Sequence, residues 1–253
     1  MLTTTLDRRI NGPVDTANGG FACGTFAQYV GGAARVRLHA PPPLGRPLQV
    51  VRDGAAVTIH DGSQQVATAT PVEPFVVPPP VVPTFAAAEA ARSRHPYVDV
   101  RHLLSDCVVC GPHRADGLGV TPGPLEEAPD VLASPFVPHP RDAVAGTVRR
   151  EALWGALDCP SYPAVLFREL RIALLGELTA HVRRDVSVGE RLVVVGWTID
   201  SGPRAHRTAT AIVDADQRVV ASAHAVWIEL QDPTRPAALA GTSSTPANEE
   251  QTQ

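Results

Sequence analysis

Asn18-Gly19-Gly20-Phe21-Ala22-Cys23-Gly24-Thr25-Phe26-Ala27-Gln28-Tyr29-Val30 is helix-compatible and apolar on nearly every side. A helix lying on a surface shows a polar stripe; one without it is enclosed by other elements. The stretch therefore predicts a buried helix. Its glycines cost helix stability, about 1 kcal/mol each relative to alanine. Their use is the close approach of another backbone or of a ligand.

Strand signals follow. Ala34–Leu38 alternates, Pro47–Arg52 leads to the turn Asp53-Gly54, and Ala56–His60 turns at Asp61-Gly62-Ser63 into Gln65–Thr70. Asp-Gly between β-branched runs is a strong short hairpin signal. From Glu73 to Pro96 a proline-rich stretch leads into an alanine-rich helical piece, Thr84–Arg94, and reads as a connector. A second unit opens with Cys107 to Leu118. Strands are expected at Gly117–Thr121 and Val131–Val137. A helix is expected at Arg150–Asp158, broken at Cys159-Pro160-Ser161-Tyr162-Pro163 and resumed to about Leu175. Strands Leu178–Val186, Arg191–Asp200, Arg207–Val213 and Arg218–Leu230 come next, the last pair separated by Asp214-Ala215-Asp216.

The two units look like copies. Val14-Asp15 matches Leu157-Asp158, and Gly45-Arg46-Pro47-Leu48 echoes Gly189-Glu190-Arg191-Leu192. Ile59, Asp61, Gln64 and Val66 fall on Ile212, Asp214, Gln217 and Val219 at one constant offset. Each copy is a helix followed by an antiparallel meander, which cannot bury its sheet face alone. The expectation is an α+β protein of two modules, 1–74 and 106–230. A connector joins them at 75–105, and a disordered Pro/Ala/Ser/Thr-rich tail follows at 231–253.

Composition excludes several classes. Net charge is −4, and the arginines are scattered singly or in pairs such as Arg8–Arg9, Arg149–Arg150 and Arg183–Arg184. No concentrated basic face exists for nucleic acid. Met1 to Pro13 has no apolar core of a signal peptide. The longest apolar run, Phe75 to Phe85, is broken by four prolines, so no membrane segment is expected. A cytoplasmic protein with free thiols fits its four cysteines. No Gly-x-Ser-x-Gly elbow, Walker loop or Gly-x-Gly-x-x-Gly fingerprint is present, and no cofactor is expected.

Asn11-Gly12-Pro13 with Asn18-Gly19-Gly20-Phe21-Ala22-Cys23-Gly24 resembles the Gly-Pro and Asn-Gly-Gly-Tyr-x-x-Gly segments of thioesterase-like hotdog proteins. Cys107-Val108-Val109-Cys110-Gly111-Pro112 with Asp116-Gly117-Leu118, and Trp154-Gly155-Ala156-Leu157-Asp158-Cys159-Pro160, resemble segments of uncharacterised actinobacterial members of that superfamily. The resemblance spans roughly residues 10–230. It implies two hotdog modules, each a sheet wrapped around a central helix, paired as a pseudo-dimer. It also implies an acyl-CoA or acyl-carrier thioester as ligand, in a monomer or homo-oligomer. Neither the His-Gly-Gly signature of some hotdog thioesterases nor the Asp-x-Asn-Pro-x-His signature of hotdog hydratases is present.

Thioester hydrolysis needs a donor to the carbonyl oxygen and a base or nucleophile opposite. As the resemblance implies, amides at a central helix's N-terminus supply the first, here those of Gly19, Gly20 or Phe21 beside Asn18. Asp158 is the leading carboxylate, with Asp15 its counterpart and Ser161 a neighbour on the substrate side. The plainer reading of Asn18 and Asp158 is helix N-capping. Cys107, Cys110 and His113 resemble half a zinc site that lacks a second cysteine pair, so no metal is expected. Cys23 and Cys159 read as buried thiols, and His181, His224 and His139 as packed or surface histidines. Besides a thioesterase, two readings stay open: a non-catalytic acyl-thioester-binding protein, and a dehydratase or hydratase using His139 and Glu151.

Overall fold

The computed structural model describes residues 2–231, so the expected tail lies almost wholly outside the described residues. The first module runs β1 (Thr3–Thr5), α1 (Gly19–Ala27), β2 (Ala34–Leu38), β3 (Pro47–Asp53), β4 (Ala56–Asp61) and β5 (Gln64–Pro71). Then come α2 (Phe85–Arg92), β6 (Gly123–Pro124), β7 (Val131–Phe136) and a small hairpin, β8 (Ala143–Val144) with β9 (Thr147–Val148). The chain ends with α3 (Arg150–Asp158), α4 (Ala164–Arg168), β10 (Ala173–Val182), β11 (Leu192–Ser201), β12 (Ala205–Val213) and β13 (Val219–Glu229).

Eleven strands form one sheet in the order β1-β3-β4-β5-β2-β10-β13-β12-β11-β7-β6. Read outward from the centre, the halves repeat: β2, β5, β4, β3, β1 on one side and β10, β13, β12, β11, β7 on the other. Each half is strand, helix, strand, then a three-stranded antiparallel meander whose last strand pairs with the strand that follows the helix. The seam is the antiparallel pair β2/β10, with Ala34, Arg35, Val36 and Arg37 opposite Ala180, Thr179, Leu178 and Glu177.

Burial explains the strand patterns. In β2, Ala34 and Val36 are buried while Arg35 and Arg37 face out, as expected where one face meets water. β11 begins with five consecutive buried residues because both of its faces are covered. The central helices α1 and α3 lie on one side. On the other, Ala88 and Ala91 of α2 pack with Val131, Ala133, Val193 and Val195. The connector is thus part of the second module's cover. Upstream of α2, Phe75 stacks on His224, its carbonyl bonds His181, and Val77 N–H donates to Ser222.

α1 and α3 cross at the centre, and glycine makes this possible. A Cβ on Gly20 would lie 2.5 Å from Asp158 Cβ and 2.6 Å from Trp154 O, and one on Gly24 2.6 Å from Glu151 Cα. The reciprocal contact is Gly155 under the Phe21 ring, 2.7 Å from its would-be Cβ. One core runs through both modules, from Leu48 and Ile59 to Leu192 and Ile212.

Several expectations are corrected. Gly117–Thr121 is an extended loop whose Leu118 and Val120 amides bond the carbonyls of Val108 and Val109. The helix after Pro163 stops at Arg168, because Leu170 turns left-handed (φ 55°), and Leu175 belongs to β10. The hairpins do correspond, but not at a constant offset. Ile59 faces Ala67 whereas Ile212 faces Ala221, so the second turn holds one extra residue. Gln217 takes φ 61° to close it. Val14-Asp15 does not match Leu157-Asp158: Asp15 precedes α1, while Asp158 ends α3.

Candidate active site at the crossing of the two central helices

Asn18 closes the first turn of α1, its Oδ1 accepting from Phe21 N–H at 3.0 Å. Its amide nitrogen donates to Asp158 Oδ2 at 2.7 Å, and Gly20 N–H donates to the same oxygen at 2.9 Å. Capping and site contact are therefore two ends of one side chain. Asp158 ends α3 and stands at the N-cap position of the 3-10 turn Cys159–Ser161, with Pro160 in its first turn, but its carboxylate makes no capping bond there. Its partners come from the other module, so the pairing across the seam is what assembles the group.

Asp158 is 2% exposed and its Oδ1 has no hydrogen-bond partner among the described residues. Burial pushes the carboxyl up to about 7. The Gly20 N–H and the Asn18 amide pull the other way and lose; the nearby Cys107 adds to the rise. Two side chains anchor the end of α3: Thr210 Oγ donates to Leu157 O at 2.9 Å, and Ser161 Oγ to Asp158 O at 2.6 Å. Ser161 is itself held by Trp227 Nε1 at 2.9 Å and is wholly buried, so it supports Asp158 from behind. Gly196 admits the turn beyond, since a Cβ there would sit 1.7 Å from Pro160 O.

A cavity of about 140 Å³ reaches Asp158 and the start of α1. Asn18, Gly19, Leu38, Leu104, Leu175 and Trp227 are among its walls, and Cys107, Cys110 and Cys159 also reach it. Its lining is mainly apolar. A bulge in β10 between Leu175 and Glu177 shapes one side, and Gly19 fits there because a Cβ would collide with Leu175 at 2.8 Å. A smaller aromatic pocket of about 40 Å³, walled by His95, Tyr97, His102, Tyr162 and Phe167, shares Leu104, Cys110, Cys159 and Trp227 with it.

Of the three amides offered at the α1 start, Phe21 N–H is used by the cap and Gly20 N–H by Asp158. Gly19 N–H makes no hydrogen bond among the described residues and borders the cavity. The Phe21 ring is buried against Gly155, away from the cavity. Asp15 is not brought to the site: it is exposed at φ 66° and borders a separate surface groove with Arg8 and Arg46. His139 is exposed and caps Arg141, while Glu151 pairs with Arg149. Neither lines the cavity, which removes the geometric basis for a dehydratase pair.

The cysteines differ most from expectation. His113 bonds Val98 O on the surface, away from the pair it was grouped with. Cys159 takes that place: its Sγ lies 3.8 Å from Cys107 Sγ, and the three sulfurs of Cys107, Cys110 and Cys159 lie within 4.8 Å of one another. Hydrogen bonds from the Cys110 and Cys159 thiols and the Cys110 and Val109 amides hold the Cys107 thiol well below its usual range, while its two partners are pushed up. Cys23 lies on α1, buried with its Sγ toward Val36 O of β2, and its thiol is pushed up by burial. The sequence signal for this cluster was the cysteine beside Asp158, which spacing alone did not connect to Cys107.

No protein-family model and no curated protein matches the sequence. Solved structures do. A protein described as thioesterase II from Thermobifida fusca YX superposes with a TM-score of 0.56 at 18% identity, over 91% of this chain and 93% of its own. One described as an oleoyl thioesterase from Lactobacillus plantarum gives 0.54 at 10% identity, over 91% and 96%. A conserved protein of unknown function with the hot dog fold from Alicyclobacillus acidocaldarius gives 0.51 at 13% identity, over 91% and 93%. At such identities the likeness carries the fold and leaves the chemistry to the site. The chain therefore has the hotdog fold, as two modules joined through β2 and β10 in one continuous sheet.

Proposed function

We propose that the chain hydrolyses an acyl thioester in the cavity at the α1–α3 crossing. One observation carries this reading: a buried carboxylate has one oxygen fixed by Asn18 and Gly20 and the other unpartnered, beside a free helix-start amide. The thioester carbonyl oxygen accepts from Gly19 N–H, where the helix end favours the developing negative charge. Asp158 takes a proton from a water as that water adds to the carbonyl carbon. Collapse of the intermediate breaks the carbon–sulfur bond, and the departing thiolate takes the proton from Asp158. The products are a carboxylic acid and a free thiol. A value of about 7 leaves enough ionised Asp158 at neutral pH for this role.

The cavity's size favours a short acyl group. About 140 Å³ compares with the roughly 150 Å³ that accepts a benzene ring. Carriers that fit the reading are coenzyme A and an acyl-carrier protein. The test is thiol release from acyl-CoAs of graded length. Turnover should peak at short chains and fall by about 10²–10⁴ in Asp158→Asn, the usual worth of a general base. Full activity in that variant, or no release at any length, would sink the proposal.

The double grip of Asn18 and Gly20 on one oxygen also suits a purely structural tie between helices. It favours the second reading, an acyl-thioester binder without turnover. Ligand-dependent thermal stabilisation with no thiol released would select it.

A further inference from the structure

We propose that Cys107, Cys110 and Cys159 bind a zinc ion through three thiolates and leave its fourth coordination position open to the Asp158 cavity. The ligands come from two distant segments that the fold brings together. Cys107 and Cys110 sit on the loop before Leu118, and Cys159 follows α3 directly. Their sulfurs lie within 4.8 Å of one another, and Cys107 to Cys159 is 3.8 Å. Four-coordinate zinc with Zn–S bonds of about 2.3 Å places its sulfurs about 3.8 Å apart. The set needs only side-chain adjustment, not rebuilding.

The loop is shaped as a ligand turn. Gly111 N–H bonds Cys107 O at 2.9 Å, and Val109 N–H points at Cys107 Sγ at 3.4 Å. A Cβ at Gly111 would lie 2.7 Å from Cys107 O, so this tight turn accepts only glycine without moving. Asn18 Nδ2, which gives one hydrogen to Asp158, has a second N–H to offer the sulfurs and lies 3.6 Å from Cys107 Sγ and 3.9 Å from Cys159 Sγ. Donors of this kind orient and stabilise metal-bound thiolates. All three cysteines border the cavity, and no histidine or carboxylate among the described residues completes the group. The open position therefore takes water or another small ligand from the cavity, the arrangement that distinguishes reactive from purely structural zinc.

Cobalt(II) reports the site directly. Reduced, chelator-stripped protein should bind one equivalent of cobalt with a sulfur-to-cobalt charge-transfer band, and zinc should displace it. Cys159→Ser should weaken binding by more than about 100-fold, beyond the 10–100-fold typical of outer partners. His113→Ala should leave it unchanged. Because a cysteine variant can misfold, the wild type gives a second readout: zinc should slow alkylation of Cys107, Cys110 and Cys159 but not change that of Cys23, which lies outside the cluster. The proposal is overturned if the reduced thiols give no charge-transfer band and zinc leaves their alkylation rates unchanged. It is equally overturned if mass spectrometry finds a disulfide within the trio that persists under conditions reducing exposed disulfides. No thioester is used, so this result and that for hydrolysis are independent.

Discussion

Asn18 shows how one side chain serves local structure and chemistry together. Its carbonyl oxygen caps α1 and its amide nitrogen grips Asp158. The cap alone accounts for about 0.5–2 kcal/mol of stability. Serine caps as well as asparagine but cannot donate across to Asp158 in the same way. Asn18→Ser should therefore lower the melting temperature through the lost bond to Asp158 alone, and Asn18→Ala, which also loses the cap, should lower it further. Loss of a hydrogen bond to a charged group is worth about 1.5–3 kcal/mol, so thiol release in Asn18→Ser should fall by about 10–100-fold. A serine variant with unchanged stability and unchanged turnover would reduce Asn18 to a cap. A cap and a contact with substrate were open for Asn18 from the sequence. That Asn18 and the Gly20 N–H both bond Asp158 was not, because these contacts depend on a helix from the other module.

At the scale of elements, α3 is where sequence and structure agree most closely: Arg150–Asp158 was expected and is found. Beyond it the helix was carried too far because Ala164 to Leu175 sets Arg168, Glu169 and Arg171 among apolar residues, a mixture that both an amphipathic helix and a half-buried strand accept. The break occurs at Leu170, a non-glycine residue in left-handed conformation that carries no sequence warning. The C-terminal end of α3 depends on groups far along the chain. Its orphan carbonyl at Leu157 accepts from Thr210 Oγ on β12, which is fully buried. Thr210→Val keeps the shape and removes the donor. It should cost about 1–3 kcal/mol in urea denaturation, the penalty for a buried unsatisfied carbonyl. The loss should appear in the midpoint with little change in slope. An unaltered midpoint would mean that the carbonyl finds another donor, and that Thr210 does not hold α3.

Across the whole molecule, the duplication was legible because hairpins and glycine turns repeat. Residue-by-residue matching was not, because the second module has a longer turn and a second covering layer. The connector illustrates the difference. Proline and alanine content suggested a link between modules, yet α2 buries Ala88 and Ala91 on the sheet, and the segment after it carries His95, Tyr97 and His102 into an aromatic cluster with Phe167. His95 is buried, with Nδ1 against Pro122 O at 2.7 Å, and burial lowers its pKa below 6.5 despite that bond. His102 is lowered too, by burial and then by the His95 charge. A histidine whose folded value is depressed binds protons more readily when unfolded. Its contribution is fully present above the unfolded value of about 6.5 and is lost as pH falls through it toward the folded value. Asp158, raised to about 7 in the fold, gains stability over the same fall from pH 7.5 to 5.5, so the histidine loss is read as a difference between variants. His95→Asn keeps a donor for Pro122 O and cannot charge, so between pH 7.5 and 5.5 its melting temperature should shift upward relative to wild type. If wild type and variant shift in parallel, the connector's hold on the second module does not depend on keeping His95 neutral.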